Sequence, residues 1–467
     1  MKKIVISFLL VNIFFCCHGQ TKSTIRHDTQ VAITPPMGWN SYDSYGAAVT
    51  EKEVRANAVF MAKNLKQYGW NYIVIDYCWY YPHPPGSTQE NPPQFRLKQD
   101  NAPVPWMPMD QYGRLLPDPR KFPSSVNGKG FKPLADYVHS LGLKFGIHIM
   151  RGIPRQALWA RSKIKGTQNI DAIAIADTAS ICRWLNLMYG VDMKKNGAQA
   201  YYNSLFELYA QWGVDFIKVD NINAGEEEAP YRVEESEGYV KAIANCKRPM
   251  VLSLSSQLDY THREQLSKSA NMWRIADDFW DEWSYIKNHF ALCAKWAKYS
   301  KPGHWPDGDM IPFGNLRLRG PSTGVAAPGK SRFTPDEHYT LMTLLSIFRS
   351  PLMIGGNLPD ADDFLKKILT NKEVIEVNQQ CENSKEVYNE SDIIVWMADQ
   401  PGTKNKYIAF FNTGEENKII NIPLSVMNLI HNYKMYDLWE KKNAGNTNEI
   451  ISIPLSKHGT KFFKLHN

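Results

Sequence analysis

Asp220 closes the apolar run Phe216-Ile217-Lys218-Val219-Asp220, and a second acidic pair, Asp277-Asp278, ends the segment Met272-Trp273-Arg274-Ile275-Ala276-Asp277-Asp278. Two carboxylates at the ends of neighbouring strands suit displacement at an acetal carbon, where one attacks the carbon and the other protonates the leaving oxygen. A lone acid at a strand end more often caps a helix or pairs with a lysine. Lys218 changes that balance, because it lies two residues before Asp220 and shares its strand face. An ammonium beside a carboxylate keeps it ionised, as a nucleophile requires. Asp277 and Asp278 are adjacent, so only one of them can face a common site. Arg274 can orient a hydroxyl or a carboxylate there. Trp273, Phe279, Trp280 and Trp283 flank the pair and predict a largely dry pocket, the setting that favours a protonated general acid.

Other strand ends carry polar groups. Asp76 closes Tyr72-Ile73-Val74-Ile75 and is followed by Trp79, Tyr80 and Tyr81, an acid for vicinal hydroxyls beside rings that can stack on a sugar. His148 lies in Lys144-Phe145-Gly146-Ile147-His148-Ile149, either as a substrate contact or as a satisfied core histidine. Trp305, Asp307 and Asp309 form a late loop that can close the pocket. Asp307-Gly308-Asp309 lacks the ligand spacing of an EF-hand, and no cofactor or metal is expected.

Positioning these groups requires a repeated strand and helix pattern. Short apolar runs alternate with amphipathic segments at 51–68, 131–143, 198–212 and 339–348, which implies a parallel sheet. Roughly eight such units favour a closed (β/α)8 TIM barrel over an open sheet, with boundaries at 31–384. From 385 to 467 the pattern changes to short strands separated by turns such as Pro401-Gly402 and Asn412-Thr413-Gly414. That segment reads as a C-terminal antiparallel β-sandwich.

The 467-residue chain has a net charge of +7, but its basic and acidic residues are interspersed and form no block that would track phosphates. Nucleic-acid binding is therefore not expected. Lys2-Lys3 followed by the apolar Ile4 to Phe15 and the small Gly19 reads as a signal peptide over 1–19, with export to a periplasm or the medium. Cys16 and Cys17 raise lipidation as an alternative, against which Phe14-Phe15 lack the expected small residues. No later segment reads as a membrane span. Cys78, Cys182, Cys246, Cys293 and Cys381 remain, widely spaced and odd in number, so free buried thiols are expected rather than a disulfide framework. Self-association is left open.

Thr34-Pro35-Pro36-Met37-Gly38-Trp39-Asn40-Ser41, Ile75-Asp76 with Cys78-Trp79, Tyr112-Gly113-Arg114-Leu115, Leu134 to His139, Trp212 to Asp220, Trp273-Arg274, and Trp305 with Asp307 and Asp309-Met310 stand in one order. In that order they resemble glycoside hydrolase family 27, the α-galactosidase and α-N-acetylgalactosaminidase family. The resemblance covers residues 34 to about 380, and the C-terminal segment resembles the family's second domain. It implies a retaining exo-glycosidase acting on terminal α-galactoside-like residues, with Asp220 as nucleophile. An ungapped alignment places the acid/base on Asp278, and a one-residue gap would move it to Asp277. Asp76, Lys218, Arg274 and Asp309 match sugar-binding positions, and Trp39, Tyr42, His148, Tyr77 and Ser255 are expected to join them. The chain departs from the family at Tyr77, where galactosidases have a second Asp, at Ser255, where they have Glu, and at Ile222, where they have a disulfide Cys. Tyr77 predicts a substrate with an apolar or modified edge, or a different epimer. The same machinery on an α-N-acetylgalactosaminide, an isomaltose-type glucan or a β-L-arabinopyranoside is the alternative, as is a non-catalytic carbohydrate-binding relative.

Overall fold

A computed structural model of the chain describes residues 28–82, 94–96, 103–182, 184–222, 232–255, 258–319, 327–429 and 432–467. The segment expected to be a signal peptide, 1–19, lies outside them, as does part of the long loop after Cys78.

Eight parallel strands form the central sheet. They are β1 (Met37–Asn40), β2 (Tyr72–Ile75), β3 (Lys144–Met150), β4 (Phe216–Asp220), β5 (Val251–Leu254), β6 (Met272–Arg274), β7 (Trp305–Asp307) and β8 (Leu352–Ile354). Their order is β7-β6-β5-β4-β3-β2-β1-β8, the succession of a barrel unrolled. The seam between β7 and β8 is not closed by β7 itself. Ile311, just beyond it, makes an isolated parallel bridge to Ile354, with the Ile311 N–H donating to Met353 O at 2.7 Å and the Gly355 N–H to Ile311 O at 2.9 Å. Pro306 inside β7 lacks a backbone donor, and Asp309 turns the chain through a left-handed φ of 78°. The ladder therefore resumes only after that turn.

Helices follow the strands: α1 (Glu51–Asn64), α2 (Lys132–Ser140), α3 (Ala198–Trp212), α4 (Val233–Cys246), α5 (Arg263–Ser269), α6 (Trp283–Trp296) and α7 (Pro335–Phe348). α7 shows how the sequence sets an element. Pro335 occupies its first turn and the Thr334–Glu337 capping box opens it, Glu337 accepting from Thr334 N at 2.8 Å. Every residue from Thr340 to Phe348 is buried, because the C-terminal domain covers the face that an outer barrel helix would otherwise show to water. That cover explains why the helix is apolar nearly all round.

Two further features bear on the site. After β3 the chain makes an excursion whose strands Ile153–Pro154, Met188–Val191 and Ala176–Ile181 form a small antiparallel sheet. The sequence pattern did not disclose it. The C-terminal domain pairs a six-stranded and a two-stranded antiparallel sheet around Val395, Ile408, Phe410, Ile453 and Leu465. It is pinned to the barrel by Trp439 Nε1 donating to Thr343 Oγ1 at 2.8 Å and by His458 stacked on Trp283 at 3.6 Å. The five cysteines beyond the N-terminal segment are free, four of them buried. Among the described residues no helix is long and apolar enough to cross a membrane.

β1 packs so closely on β2 that a Cβ on Gly38 would lie 2.4 Å from Tyr72 O and 2.7 Å from Tyr72 Cβ. Both neighbours belong to the sheet and cannot move independently. Gly38→Ala is expected to destabilise the fold by about 2–3 kcal/mol. Urea unfolding checks this, and an unchanged midpoint would contradict it.

Candidate active site

The C-terminal ends of the strands converge on one charged floor. Lys218 Nζ, on β4, lies 2.9 Å from Asp76 Oδ2 at the end of β2, and Asn40 Nδ2, on β1, donates to the same oxygen at 2.6 Å. The Tyr77 N–H donates to Asp76 Oδ1 at 2.8 Å. Burial alone would raise the Asp76 carboxyl, but Lys218, His148, the Tyr77 N–H and Asn40 outweigh it and hold it at about 2. Asp76 is thus an ionised acceptor with its geometry set.

Asp220 ends β4 with its side chain 17% exposed. The Asn221 N–H donates to its Oδ1 at 2.7 Å, and His148 Nε2 lies 3.2 Å from its Oδ2. His148 is fully buried and its Nδ1 has no hydrogen-bond partner. Its Nε2 is directed at the Asp220 carboxylate.

Arg274, on β6, links the opposite wall. Its Nη1 donates to Asp278 Oδ1 at 3.0 Å, and its Nη2 is 3.3 Å from Asp309 Oδ2. Asp277 turns away, its Oδ1 accepting from the Asp278 N–H at 2.9 Å. Of the two neighbours, Asp278 is the one joined to the floor. The loop carrying it is held from below, since Asp309 Oδ2 accepts from the Phe279 N–H at 2.9 Å and Arg317 forks Asp281 at 2.8 and 3.0 Å. The Asp278 side chain is 59% exposed, so the largely dry surroundings expected there are not present. Two of the flanking tryptophans serve elsewhere. Trp273 packs on Trp296 in the core and Trp283 on His458 of the C-terminal domain.

Rings form the upper rim as an arc. Trp280 lies 6.5 Å from Tyr42, Tyr42 lies 5.9 Å from Tyr77, and Tyr77 lies 5.9 Å from Trp184 and 6.0 Å from His148. Trp184, on the excursion after β3, is 51% exposed. Nothing in its local sequence marked it. Trp39, expected at the sugar, is fully buried and donates Nε1 to Gly356 O at 2.9 Å. Its strand position points it into the core. Ser255 is also buried, with Oγ lacking a hydrogen-bond partner among the described residues.

Carboxylates beneath the floor outnumber the cations. Asp43, Asp307 and Asp309 are buried beside Asp76, with Lys218 and Arg274 as the nearby bases. Burial, then the charge of Asp309, raises Asp43 well above the usual carboxylate range, and its Oδ2 has no hydrogen-bond partner among the described residues. Burial, then Asp309, pushes Asp307 from 3.8 up to about 7. The contribution of such a group is complete below the unfolded value of 3.8 and is lost as pH rises through about 7. Asp307→Asn keeps an oxygen for the Asp309 N–H, which donates to Asp307 Oδ1 at 3.0 Å. Its stability relative to wild type should improve between about pH 5 and about pH 8 by on the order of 2–3 kcal/mol. Urea unfolding at both pH values checks this, and a gain independent of pH would contradict it.

Comparisons with known proteins identify the family. Residues 189–380 match the Alpha galactosidase A family, and residues 390–465 match the Alpha galactosidase C-terminal beta sandwich domain. The crystal structure of a family 27 β-L-arabinopyranosidase from Geobacillus stearothermophilus superposes with a TM-score of 0.88 at 47% identity, covering 94% of this chain and 98% of that one. Alpha-galactosidase A of Cellvibrio japonicus is 29% identical over 367 residues, 75% of this chain and 68% of its own length. Alpha-galactosidase 2 of Arabidopsis thaliana is 25% identical over 453 residues, 95% of this chain and 92% of its own. With a carbohydrate as its substrate, this chain belongs to glycoside hydrolase family 27.

Proposed function

We propose that this protein is an exported retaining exo-glycosidase that releases a galacto-configured pyranose, with β-L-arabinopyranosides preferred over α-D-galactosides. Asp220 attacks the anomeric carbon and Asp278 protonates the leaving oxygen, giving a glycosyl ester. Asp278 then takes a proton from the water that hydrolyses the ester. Both Asp220 oxygens face a ring nitrogen or an N–H, which supports an oriented attacking group. Asp278 is tied to Arg274 and open to solvent, where it can exchange protons between the two steps. Asp76, Lys218 and Arg274 hold sugar hydroxyls, Tyr42 gives the ring a face, and Asp309 keeps Arg274 in place.

Tyr77 carries the choice of sugar. It sits among Tyr42, His148 and Trp184 and offers a ring and a neutral hydroxyl instead of a carboxylate. A β-L-arabinopyranoside is an α-D-galactopyranoside whose C5 hydroxymethyl is replaced by hydrogen, so its apolar edge suits such a wall. The similar Geobacillus stearothermophilus protein is described as a β-L-arabinopyranosidase, which supports the reading. The α-galactoside reading, favoured by the plant and Cellvibrio relatives, is second.

Asp220→Asn is expected to abolish turnover of p-nitrophenyl β-L-arabinopyranoside, because the amide keeps the shape but cannot form the ester. An Asn variant at wild-type rate would refute the assignment. A charged acceptor for one hydroxyl is worth about 1.5–3 kcal/mol. Tyr77→Asp should therefore shift the ratio of kcat/KM towards p-nitrophenyl α-D-galactopyranoside by about one to two orders of magnitude. A wild type that prefers the galactoside, and loses that preference in the Asp variant, would reverse the choice of sugar. Export rests on the segment 1–19. Protein expressed with that segment should be recovered outside the cytoplasm with those residues removed, and intact cytoplasmic protein would count against it.

A further inference from the structure

The chain leaves β4 under a constraint that the two-carboxylate chemistry does not use directly. Asn221, immediately after Asp220, adopts a left-handed φ of 59°, and only in that turn does its N–H reach back to Asp220 Oδ1 at 2.7 Å. A non-glycine residue there stores strain that its surroundings must hold. Arg151, the residue after β3, provides the hold. Its N–H donates to Asp220 O at 3.0 Å and its Nε to Asn221 O at 2.8 Å, so one residue grips the carbonyl on each side of the turn.

Arg151 is anchored in turn. Nη1 donates to Glu235 Oε1, on α4, at 2.6 Å, and the two side chains are 4% and 6% exposed. Glu235 Oε2 accepts from the Tyr202 hydroxyl on α3 and from the Val191 N–H of the excursion at 3.4 Å. The Tyr239 hydroxyl approaches that of Tyr202 at 3.5 Å. The network thus joins two outer helices and the excursion to the backbone that carries Asp220, and all four of its side chains are buried.

We infer that Arg151 and Glu235 are positioning residues for Asp220, a buried ion pair that holds the Asp220-Asn221 turn so that the carboxylate faces the anomeric carbon. The inference rests on the reading of Asp220 as nucleophile. A side chain that grips the Asn221 carbonyl and the Glu235 carboxylate at once suits arginine, with its five planar donors, and not lysine, while the Asp220 carbonyl is held by the backbone N–H of residue 151 in either case. Once the Nε half of the grip, on the Asn221 carbonyl, is lost, Asn221 relaxes towards an unstrained φ, its N–H leaves Oδ1, and the carboxylate turns with it. Attack on carbon is sensitive to displacements of about 1 Å, which can remove about 100-fold in rate. Binding of the sugar depends on Asp76, Lys218 and Arg274 and should survive.

The test measures kcat, KM and the inhibition constant of free L-arabinose for Arg151→Met, Arg151→Lys and Glu235→Gln. Assays use p-nitrophenyl β-L-arabinopyranoside, or the α-D-galactopyranoside if that is the better substrate, well below each variant's Tm. Arg151→Met should lose about 10- to 100-fold in kcat, with the inhibition constant of arabinose within about twofold of wild type. Arg151→Lys, which keeps a cation beside Glu235, should restore most of the Tm but not the kcat. Glu235→Gln keeps the shape of the site if the Met variant does not fold, and it should show the same separation of kcat from binding. Wild-type kcat in both Lys and Gln variants would reduce the pair to a structural role and overturn the inference, as would weakened arabinose binding in step with kcat. Asp220→Asn measured in parallel separates the two claims. Activity retained there sinks the nucleophile reading itself, whereas loss there with full kcat in the Arg151 variants sinks the clamp alone.

Discussion

A lysine buried at the centre of the barrel is the constraint on which the rest of the site depends. Lys218 points inward from β4 and pairs with Asp76 of β2 while Asn40 of β1 donates to the same carboxylate. Three strands far apart in the chain are thereby locked at one level. Moving two charges out of water is expensive unless their remaining valences are filled, and here Asp76 accepts from three separate donors. The pair buys a fixed acceptor in a region that water would otherwise blur.

The same low-dielectric floor carries more carboxylates than its cations can balance. Asp43 and Asp307 are pushed towards their neutral forms by burial and by Asp309. Arg274 is thereby left to Asp278 and Asp309, and Lys218 to Asp76. Two acids of identical type, Asp76 and Asp307, sit at about 2 and about 7 on the same floor. The difference lies in their partners, because Asp76 has a lysine at contact distance and Asp307 has another acid.

Rigidity under the floor contrasts with openness above it. The loop carrying Asp278 is pinned through Phe279 and Asp281, yet the Asp278 carboxyl itself is mostly exposed. The rim is an arc of rings ending in Trp184, whose exposed face belongs to an excursion between β3 and α3. Barrels commonly vary in these loops while the strands stay fixed. In this chain the outer end of that arc is formed by Tyr77 and Trp184, two rings side by side.

Much of this was legible in the linear chain. Apolar runs and period-3.6 patterns placed most of the barrel strands and the helices near 51–68, 131–143, 198–212 and 339–348, because buried barrel strands must be apolar and outer helices amphipathic, but Trp305–Asp307, read as part of a loop, is a strand, its short run being broken by Pro306. Lys218 and Asp220 could be assigned to one face from their spacing alone, and the run of motifs named the family. Local sequence could not say which of two adjacent acids turns inward. That depended on Arg274 and on the pinned loop, contacts set by residues 30 or more positions away such as Asp309 and Arg317. It also could not separate rings that line a pocket from rings that fill a core. Trp39 and Trp273 are buried while Trp184 is exposed, and residue type is the same in all three. Nor did any pattern link Arg151 to Glu235, 84 positions apart. Residue chemistry and periodicity are local properties of the chain, whereas depth, partner and orientation arise only when the strands close on one another.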